Sequence, residues 1–143
     1  MHSPDRGAIV ELSRAEIDSF LRQQRIARLG CHLDGLTYVV PVIYAFDGAS
    51  IFVVTTEGQK VSMMRSSPRV CVEVDEYDTS GSWRSVIAYG DYEELEGNDV
   101  EEALAALRDA FGRAAPAEPR GLGPGVVVFR IRLDELTGRS VAR

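Results

Sequence analysis

The spacing of hydrophobic residues predicts three helices. The first is "LSRAEIDSFLRQQ", where Ile17, Phe20 and Leu21 fall on one face and Ser13 with Glu16 has the spacing of a capping box. The second begins at the glycine of "GQKVSMMRSSP" and ends before its proline. The third is "DVEEALAALRDAFGRAA", whose apolar residues form one stripe.

Alternation of apolar and polar residues predicts about six strands. The first three are "RIARLGCHLDG", "LTYVVPVIYAFDG" and "ASIFVVTT", separated by Asp34-Gly35 and Asp47-Gly48, which are typical hairpin turns and predict an antiparallel meander. The others are "RVCVEVDEY", "WRSVIAYGDYEELE" with a bulge at Gly90, and "VVVFRIRLDELTGRS". Since an antiparallel sheet of this size usually closes to hide its edges, we predict a mainly β fold, a small antiparallel β-barrel with flanking helices.

We expect one domain over residues 1–143, with residues 1–11 flexible. Net charge is -6, which disfavours a nucleic-acid partner, and no apolar run approaches membrane-spanning length. The two cysteines, Cys31 and Cys71, lie in strand-like runs and are expected to be buried thiols. These observations predict a soluble cytoplasmic protein with no nucleic-acid or membrane partner.

A group of anion-binding side chains lies where the third strand meets the second helix. Thr55 and Thr56 end the strand, and Gly58 and Lys60 begin the helix. Hydroxyls, helix N-terminal amides and an ammonium group could together hold a phosphate. The alternative is that Lys60, Arg65 and Arg69 form an ordinary solvated helix face.

Two further segments offer surfaces for a planar ring. In "SGSWRSV", Trp83 either stacks on a ring or covers the end of the barrel, while Ser85 and the backbone of Arg84 and Val86 offer polar contacts. In "VVPVIYAF", Pro41 predicts an edge, a bulge or an opening of the ladder, which frees backbone groups for a ligand. The aromatic residues of that strand are more often core than a cofactor wall.

The sequence shows no catalytic set of its own. No G-x-S-x-G motif is present, and neither His2 nor His32 has an evident nucleophile partner or zinc-ligand spacing. A phosphate-binding segment beside ring-sized surfaces, without an acid-base pair, indicates that a redox cofactor supplies the chemistry.

The order of these motifs resembles the FMN-binding split-barrel family that includes pyridoxamine 5'-phosphate oxidase. The matching segments are "RLGCHLDGLTYVVPVIYAFDG", "IFVVTTEGQKVSMMRSSPRVCVEV", "WRSVIAYGDYEEL" and "FRIRLDELTGR". The resemblance implies a six-stranded antiparallel split barrel that forms a homodimer, with an FMN site in each of two clefts at the subunit interface.

The resemblance also implies roles for individual residues. Thr55, Thr56, Gln59 and Lys60 match the segment that holds the phosphate and ribityl chain of FMN. The strand Val42, Ile43 and Tyr44 matches the one that runs along the flavin. The segment Trp83, Arg84, Ser85 and Val86 matches the one near the ring, often from the partner chain.

Differences from the family leave three functions open. Pyridoxamine phosphate oxidases carry a second basic residue where this chain has Gln59, and nitroimidazole-reductase-like members often have a histidine near the position of Thr55. Our leading hypothesis is a flavin-dependent oxidoreductase that uses FMN on an unknown small molecule. The alternatives are a reductase that uses a deazaflavin, or a flavin or haem carrier without turnover.

Overall fold

Three α-helices and eight β-strands form in the computed structural model, which describes residues 7–114 and 123–143. The helices are α1 (Arg14–Gln23), α2 (Gln59–Ser66) and α3 (Asn98–Phe111), the last followed by a 3-10 turn at Gly112–Ala114. The strands are β1 (Val10–Glu11), β2 (Ile26–Leu33), β3 (Leu36–Ile43), β4 (Ala45–Phe46), β5 (Ser50–Thr56), β6 (Arg69–Tyr77), β7 (Trp83–Glu94) and β8 (Val126–Val141).

All three predicted helices are confirmed. The Ser13 hydroxyl accepts the Glu16 N–H at 3.2 Å, and the Glu16 carboxylate accepts the Ser13 N–H at 2.9 Å, so the predicted capping box is present. These bonds to Ser13 hold the pKa of the Glu16 carboxyl below its ordinary value. The apolar stripe of α1 is buried in the core, as its spacing indicates.

The strands form one curled antiparallel sheet in the order β3-β2-β6-β7-β8-β5-β4, with β1 paired to the end of β8. Its inner face is filled by residues from several strands, such as Leu29, Val72 and Phe129, together with Phe20 from α1 and Met64 from α2. The helix α3 packs on the opposite side of β5, around Leu104. The predicted fold class, a mainly β barrel with flanking helices, is confirmed.

The β2–β3 hairpin turns at the predicted Asp-Gly pair. Asp34 has φ 51° and Gly35 has φ 79°, values that short polar residues and glycine tolerate best. A register shift between Tyr89 and Gly90 confirms the predicted bulge. A Cβ at Gly90 would lie 2.2 Å from the Arg132 carbonyl oxygen, so only glycine fits this crossing of β7 and β8.

The second hairpin of the predicted meander forms at Asp47-Gly48, but its pairing is much shorter than the sequence indicates. The run "LTYVVPVIYAF" divides at Tyr44 into β3 and β4, and only the two residues of β4 pair with β5. The strand β3 pairs with β2 and not with β5, because the Tyr44 N–H bonds to the Arg25 carbonyl and holds this part of the chain on the β2 side. The β2–β3 ladder continues through Pro41 to Ile43, so of the alternatives that the proline predicted, the edge position is the one observed.

Two sequence predictions fall wholly or partly outside the described residues. These are the flexible N-terminus, of which residues 1–6 are outside, and the loop "PAEPRGLGPG", of which residues 116–122 are outside. Within the expected N-terminal segment, Val10–Glu11 pair with β8. No helix in the described part of the chain has the length and hydrophobicity needed to cross a membrane.

Candidate functional site

An opening lies between the free edges of β3 and β5, and we call it the split. Among the described residues, β3 stands at one end of the sheet order, and β5 has a neighbour on its second edge only where β4 pairs with it at Ile51 and Phe52. Beyond Phe52, the second edge of β5 at Val54 and Thr56 has no strand partner among the described residues. The same holds for the edge of β3 that faces away from β2. The split therefore exposes two stretches of strand edge to a common space.

The hydrogen-bond pattern shows which backbone groups line the split. Tyr44 and Arg25 form a hydrogen-bonded pair, so along β3 the alternate residues Val39, Pro41 and Ile43 direct their backbone groups away from β2. The backbone of Pro41 faces away from β2, so the N–H that proline lacks is not needed for the β2–β3 ladder. This position therefore tolerates a proline. Ile43 offers both an N–H and a carbonyl to the split.

On β5 the same alternation leaves the backbone of Val54 and Thr56 facing away from β8. The N–H of Glu57 bonds to the Gly125 carbonyl at 3.0 Å. Thr55 and Val53, which alternate with Glu57, therefore also direct their backbone groups toward β8. Edge donors and acceptors of this kind match the alternating N–H and C=O groups of a heterocyclic ring or an extended ligand.

The N-terminus of α2 lies at one end of the split. Gly58 is its N-cap residue and has no side-chain hydrogen bond, and the first backbone bond of the helix joins the Ser62 N–H to the Gly58 carbonyl. The N–H groups of Gln59, Lys60 and Val61 consequently lack partners within the helix. Such groups, with the positive end of the helix dipole, favour an anion.

Lys60 is half-buried beside these amides, on a helix that packs against β2. Burial raises the pKa of the Cys31 thiol on β2, and the positive charge of Lys60 acts against that rise. Within residues 7–114 and 123–143, no carboxylate forms an ion pair with Lys60. Lys60 is also the single lysine of the sequence.

The other basic residues near α2 are bound by carboxylates. Arg65 contacts Glu57 and Glu94, and Arg69 contacts Asp134 through two bonds of 2.6 and 2.7 Å. The interpretation of the segment as a solvated basic face therefore fits Arg65 and Arg69, whereas Lys60 is left as a cation available to a ligand.

The two predicted threonines differ in position. Thr55 is half-buried and shares a strand face with the core residue Val53, while Thr56 is exposed and shares a face with Val54. Only one of the two hydroxyls can therefore face the inner side of the sheet. Gln59 is exposed at the first position of α2.

The three residues predicted to run along the flavin differ in position: two side chains lie in the core, and the third residue directs its backbone to the split. The side chains of Val42 and Tyr44 are 6% and 0% exposed, and both belong to the core, which confirms that the aromatic face of this run is interior. Ile43 lies between them with its side chain on the outer surface and its backbone toward the split.

The segment Trp83–Val86 is separated from the split within one chain. It begins β7, which has β2 and β6 between it and β3, and β8 between it and β5. Arg84 packs its guanidinium 4.6 Å from the centre of the Phe20 ring and pairs with Glu76, and Val86 is buried. Trp83 and Ser85 remain partly exposed on the other face of β7.

That other face carries an apolar surface, which the sequence analysis did not identify. We call it the outer face; its exposed apolar members are Ile26, Val39 and Ile43 from β2 and β3 and Ile87 and Tyr89 from β7. A cavity of about 600 Å³ lies on it between Val39, Cys71 and Tyr89. Cys71 is half-buried there, whereas Cys31 is buried as expected. The unbroken apolar run "VVPVI", typical of strands covered on both faces, was the signal for this surface.

The chain was compared with protein-family models, with curated proteins and with solved structures. The family model described as pyridoxamine 5'-phosphate oxidase matches residues 13–140. An uncharacterized protein of Rhizobium meliloti is 31% identical, over 90% of this chain and 93% of the relative. A crystal structure of a FAD-binding protein from Mesorhizobium loti is 31% identical, with a TM-score of 0.78 over 95% of this chain and 98% of that one. A FAD and heme binding protein from Mycobacterium smegmatis shares the fold at 18% identity, with a TM-score of 0.72 over 89% of this chain and 70% of that one.

Proposed function

Because the chain belongs to the pyridoxamine 5'-phosphate oxidase family, we propose that it is a flavin-dependent oxidoreductase that binds FMN in the split. The observation that carries the proposal is the meeting of three features at one place. These are the unpaired strand edges of β3 and β5, the uncapped N-terminus of α2, and Lys60 without a carboxylate partner among the described residues.

The phosphate of FMN would bind at the N-terminus of α2. The N–H groups of Gln59, Lys60 and Val61 donate to its oxygens, and the Lys60 ammonium supplies the charge. Thr55 is the threonine that shares the inner face and would donate its hydroxyl to the phosphate or the ribityl chain. Thr56 would contribute from the backbone, through the edge groups that face the split.

The ring of the flavin would lie along the edge of β3. Its pyrimidine side presents alternating donors and acceptors, and Ile43 presents an N–H and a carbonyl at the edge. Val42 and Tyr44 support that position from the core, since their buried side chains fix the path of β3. These residues therefore act by binding and orienting the ring.

When bound, the flavin would supply the capacity for hydride or electron transfer. The chain's own residues bind the cofactor, hold its ring at the edge of β3 and limit the access of water. The substrate is proposed only as a small molecule that reaches the exposed side of the ring.

A second copy of the chain would complete the site. The outer face combines exposed apolar side chains with charged neighbours such as Arg28 and Glu73, a composition suited to a homodimer interface. Trp83 and Ser85 lie on the same side of the sheet as Ile87 and Tyr89. Association through this face would therefore carry Trp83–Val86 toward the split of the partner, as the resemblance to the family implies.

FAD is the main alternative cofactor, because the Mesorhizobium loti relative is described as FAD-binding. Haem is a further one, on the weaker ground of a fold shared with the FAD and heme binding protein. A deazaflavin remains the alternative suggested by the family resemblance. FMN is favoured here because the split ends at one cradle, where Lys60 supplies a cation without an ion pair among the described residues, and this arrangement suits one phosphate group.

The cofactor carried by the purified protein tests this proposal. We expect absorption maxima typical of an oxidised flavin, and FMN in the supernatant after heat denaturation. FAD in the supernatant would identify FAD as the cofactor in place of FMN. The absorption spectrum of a deazaflavin or of haem would identify that compound as the cofactor. A protein that stays colourless and binds no added flavin would contradict the proposal.

A further inference from the structure

The loop that leads into α2 carries a carboxylate at an unexpected place. Glu57 lies between Thr56, the last residue of β5, and Gly58, the N-cap of α2. An anion bound at this helix N-terminus would meet the negative charge of Glu57 only a few bonds from the donor amides. Uncompensated, that charge would weaken phosphate binding.

Arg65 compensates this charge through a fixed geometry. Its Nη1 and Nη2 donate to the two carboxylate oxygens of Glu57 at 2.9 and 2.8 Å, and its Nε donates to Glu94 Oε1 at 2.9 Å. Glu94 also accepts the Tyr92 hydroxyl at 2.7 Å. These bonds raise the pKa of Arg65 above its ordinary value, the Glu57 bonds first, and Arg65 holds the pKa of the Glu94 carboxyl below its own.

The stability of the fold does not account for this cluster. The side chains of Arg65, Glu57 and Glu94 are 43%, 53% and 38% exposed, and ion pairs as exposed as these contribute little to folding. The ion pair between Arg65 and Glu57 connects the second turn of α2 to the loop that precedes the helix. It fixes the Glu57 carboxylate in one place and neutralises it.

We infer that Arg65 is a positioning residue that makes the cradle selective for a phosphorylated flavin over the unphosphorylated one, by holding and neutralising Glu57. The inference rests on the proposed function. Arg65 does not contact the ligand in this account: each of its three nitrogens donates to Glu57 or Glu94.

Arg69 offers a matched control. It is 44% exposed and also makes a two-bond contact with a carboxylate, Asp134, yet its partners lie on β7 and β8 and not on the loop before α2. Arg69→Gln thus removes the same charge and the same kind of ion pair without freeing Glu57.

The test is fluorescence titration with FMN and with riboflavin, for the wild type, Arg65→Gln, Glu57→Gln, the double variant and Arg69→Gln. We expect Arg65→Gln to weaken FMN binding about tenfold and riboflavin binding less than about twofold. The double variant should recover the wild-type preference for FMN, since the freed carboxylate is gone. The deficit of Arg65→Gln should shrink in about 1 M salt, where screening reaches about 3 Å.

The outcomes separate this inference from the proposed function. Binding of neither flavin by the wild type overturns both. A wild type that prefers FMN and an Arg65→Gln variant that keeps the preference overturn the inference alone. Equal losses for FMN and riboflavin, or no recovery in the double variant, also overturn it, because a purely structural role would give those results. Circular dichroism melts of all variants establish that each is folded.

Discussion

The Tyr44 hydroxyl donates a hydrogen bond of 2.7 Å to the Leu21 carbonyl oxygen, from a side chain that is fully buried. The Tyr44 N–H meanwhile bonds to the Arg25 carbonyl at 3.0 Å. The point where β3 gives way to β4 is thus attached once to the last turn of α1 and once to the link between α1 and β2. Burial raises the pKa of the phenol above its ordinary value, so the hydroxyl remains a donor throughout the physiological range. Tyr44 shapes the split without facing it.

Replacing Tyr44 by phenylalanine separates these two roles. Tyr44→Phe deprives the Leu21 carbonyl of its buried donor, so we expect a loss of about 1–2 kcal/mol in the free energy of unfolding. Flavin affinity should change by less than about twofold, because only the backbone of this strand borders the site. Chemical denaturation and flavin titration measure the two quantities. A large loss of affinity at unchanged stability would show that the hydroxyl contacts the ligand.

Two glycines of the sheet should respond differently to alanine. At Gly90 a Cβ would lie 2.2 Å from the Arg132 carbonyl oxygen and 2.8 Å from its carbon, so the backbone of β8 must move. At Gly30 the nearest atoms are 3.7 Å away. We expect Gly90→Ala to cost about 3 kcal/mol or more and Gly30→Ala less than about 1 kcal/mol, measured by urea denaturation. Similar costs for the two variants would contradict the tight crossing at Gly90.

Stability should depend on pH through Glu73 on the outer face. Burial, followed by the hydrogen bond and charge of Asp75, raises the pKa of Glu73 from 4.5 to about 7. A carboxyl with a raised folded-state pKa contributes stability that is full below about pH 4.5 and is lost as the pH rises to about 7. Glu73→Gln removes this dependence, and Arg28 keeps its 2.7 Å bond to Asp75.

We therefore expect the midpoint of thermal unfolding to fall less between about pH 5 and pH 8 in Glu73→Gln than in the wild type. The difference between the two proteins isolates Glu73, since all other carboxylates are common to both. Parallel midpoint curves would mean that Glu73 titrates as an ordinary exposed carboxyl.

The proposed homodimer predicts an effect of charge on the outer face. Val39 and Ile9 are both 61% exposed, but only Val39 lies on the outer face. Val39→Glu should convert the dimer to a monomer and reduce flavin affinity, because Trp83–Val86 of the partner would be lost. Ile9→Glu should leave both unchanged. Light scattering after gel filtration gives the mass; a wild-type monomer, or a Val39→Glu dimer, would contradict the proposed interface.

Local patterns were enough to predict the three helices and the longer strands. The capping box of Ser13 and Glu16 and the turn at Asp34-Gly35 each depend on residues within a few positions of one another. The alternation of Val70, Val72 and Val74 likewise places them on the buried face of β6 as predicted.

The features that the sequence did not predict depend on contacts between residues that are distant in sequence. The failure of β3 to pair with β5 depends on the attachment of Tyr44 to α1, which neither strand encodes. Arg65 pairs with Glu94, 29 positions away in the sequence. The sequence alone therefore could not show that carboxylates bind Arg65 whereas Lys60 has no ion pair among the described residues. The position of Trp83–Val86 away from the split follows from the sheet order, and its predicted role depends on a partner chain.

The most direct measurement of the central claim uses the single lysine of the chain. Protein grown with 15N-labelled lysine gives one lysine backbone amide signal, which belongs to Lys60 at the N-terminus of α2. On titration with FMN we predict a large shift of this signal that saturates at one FMN per chain, and a clearly smaller shift with riboflavin. A signal that stays in place while the protein quenches FMN fluorescence would contradict a phosphate site at Lys60.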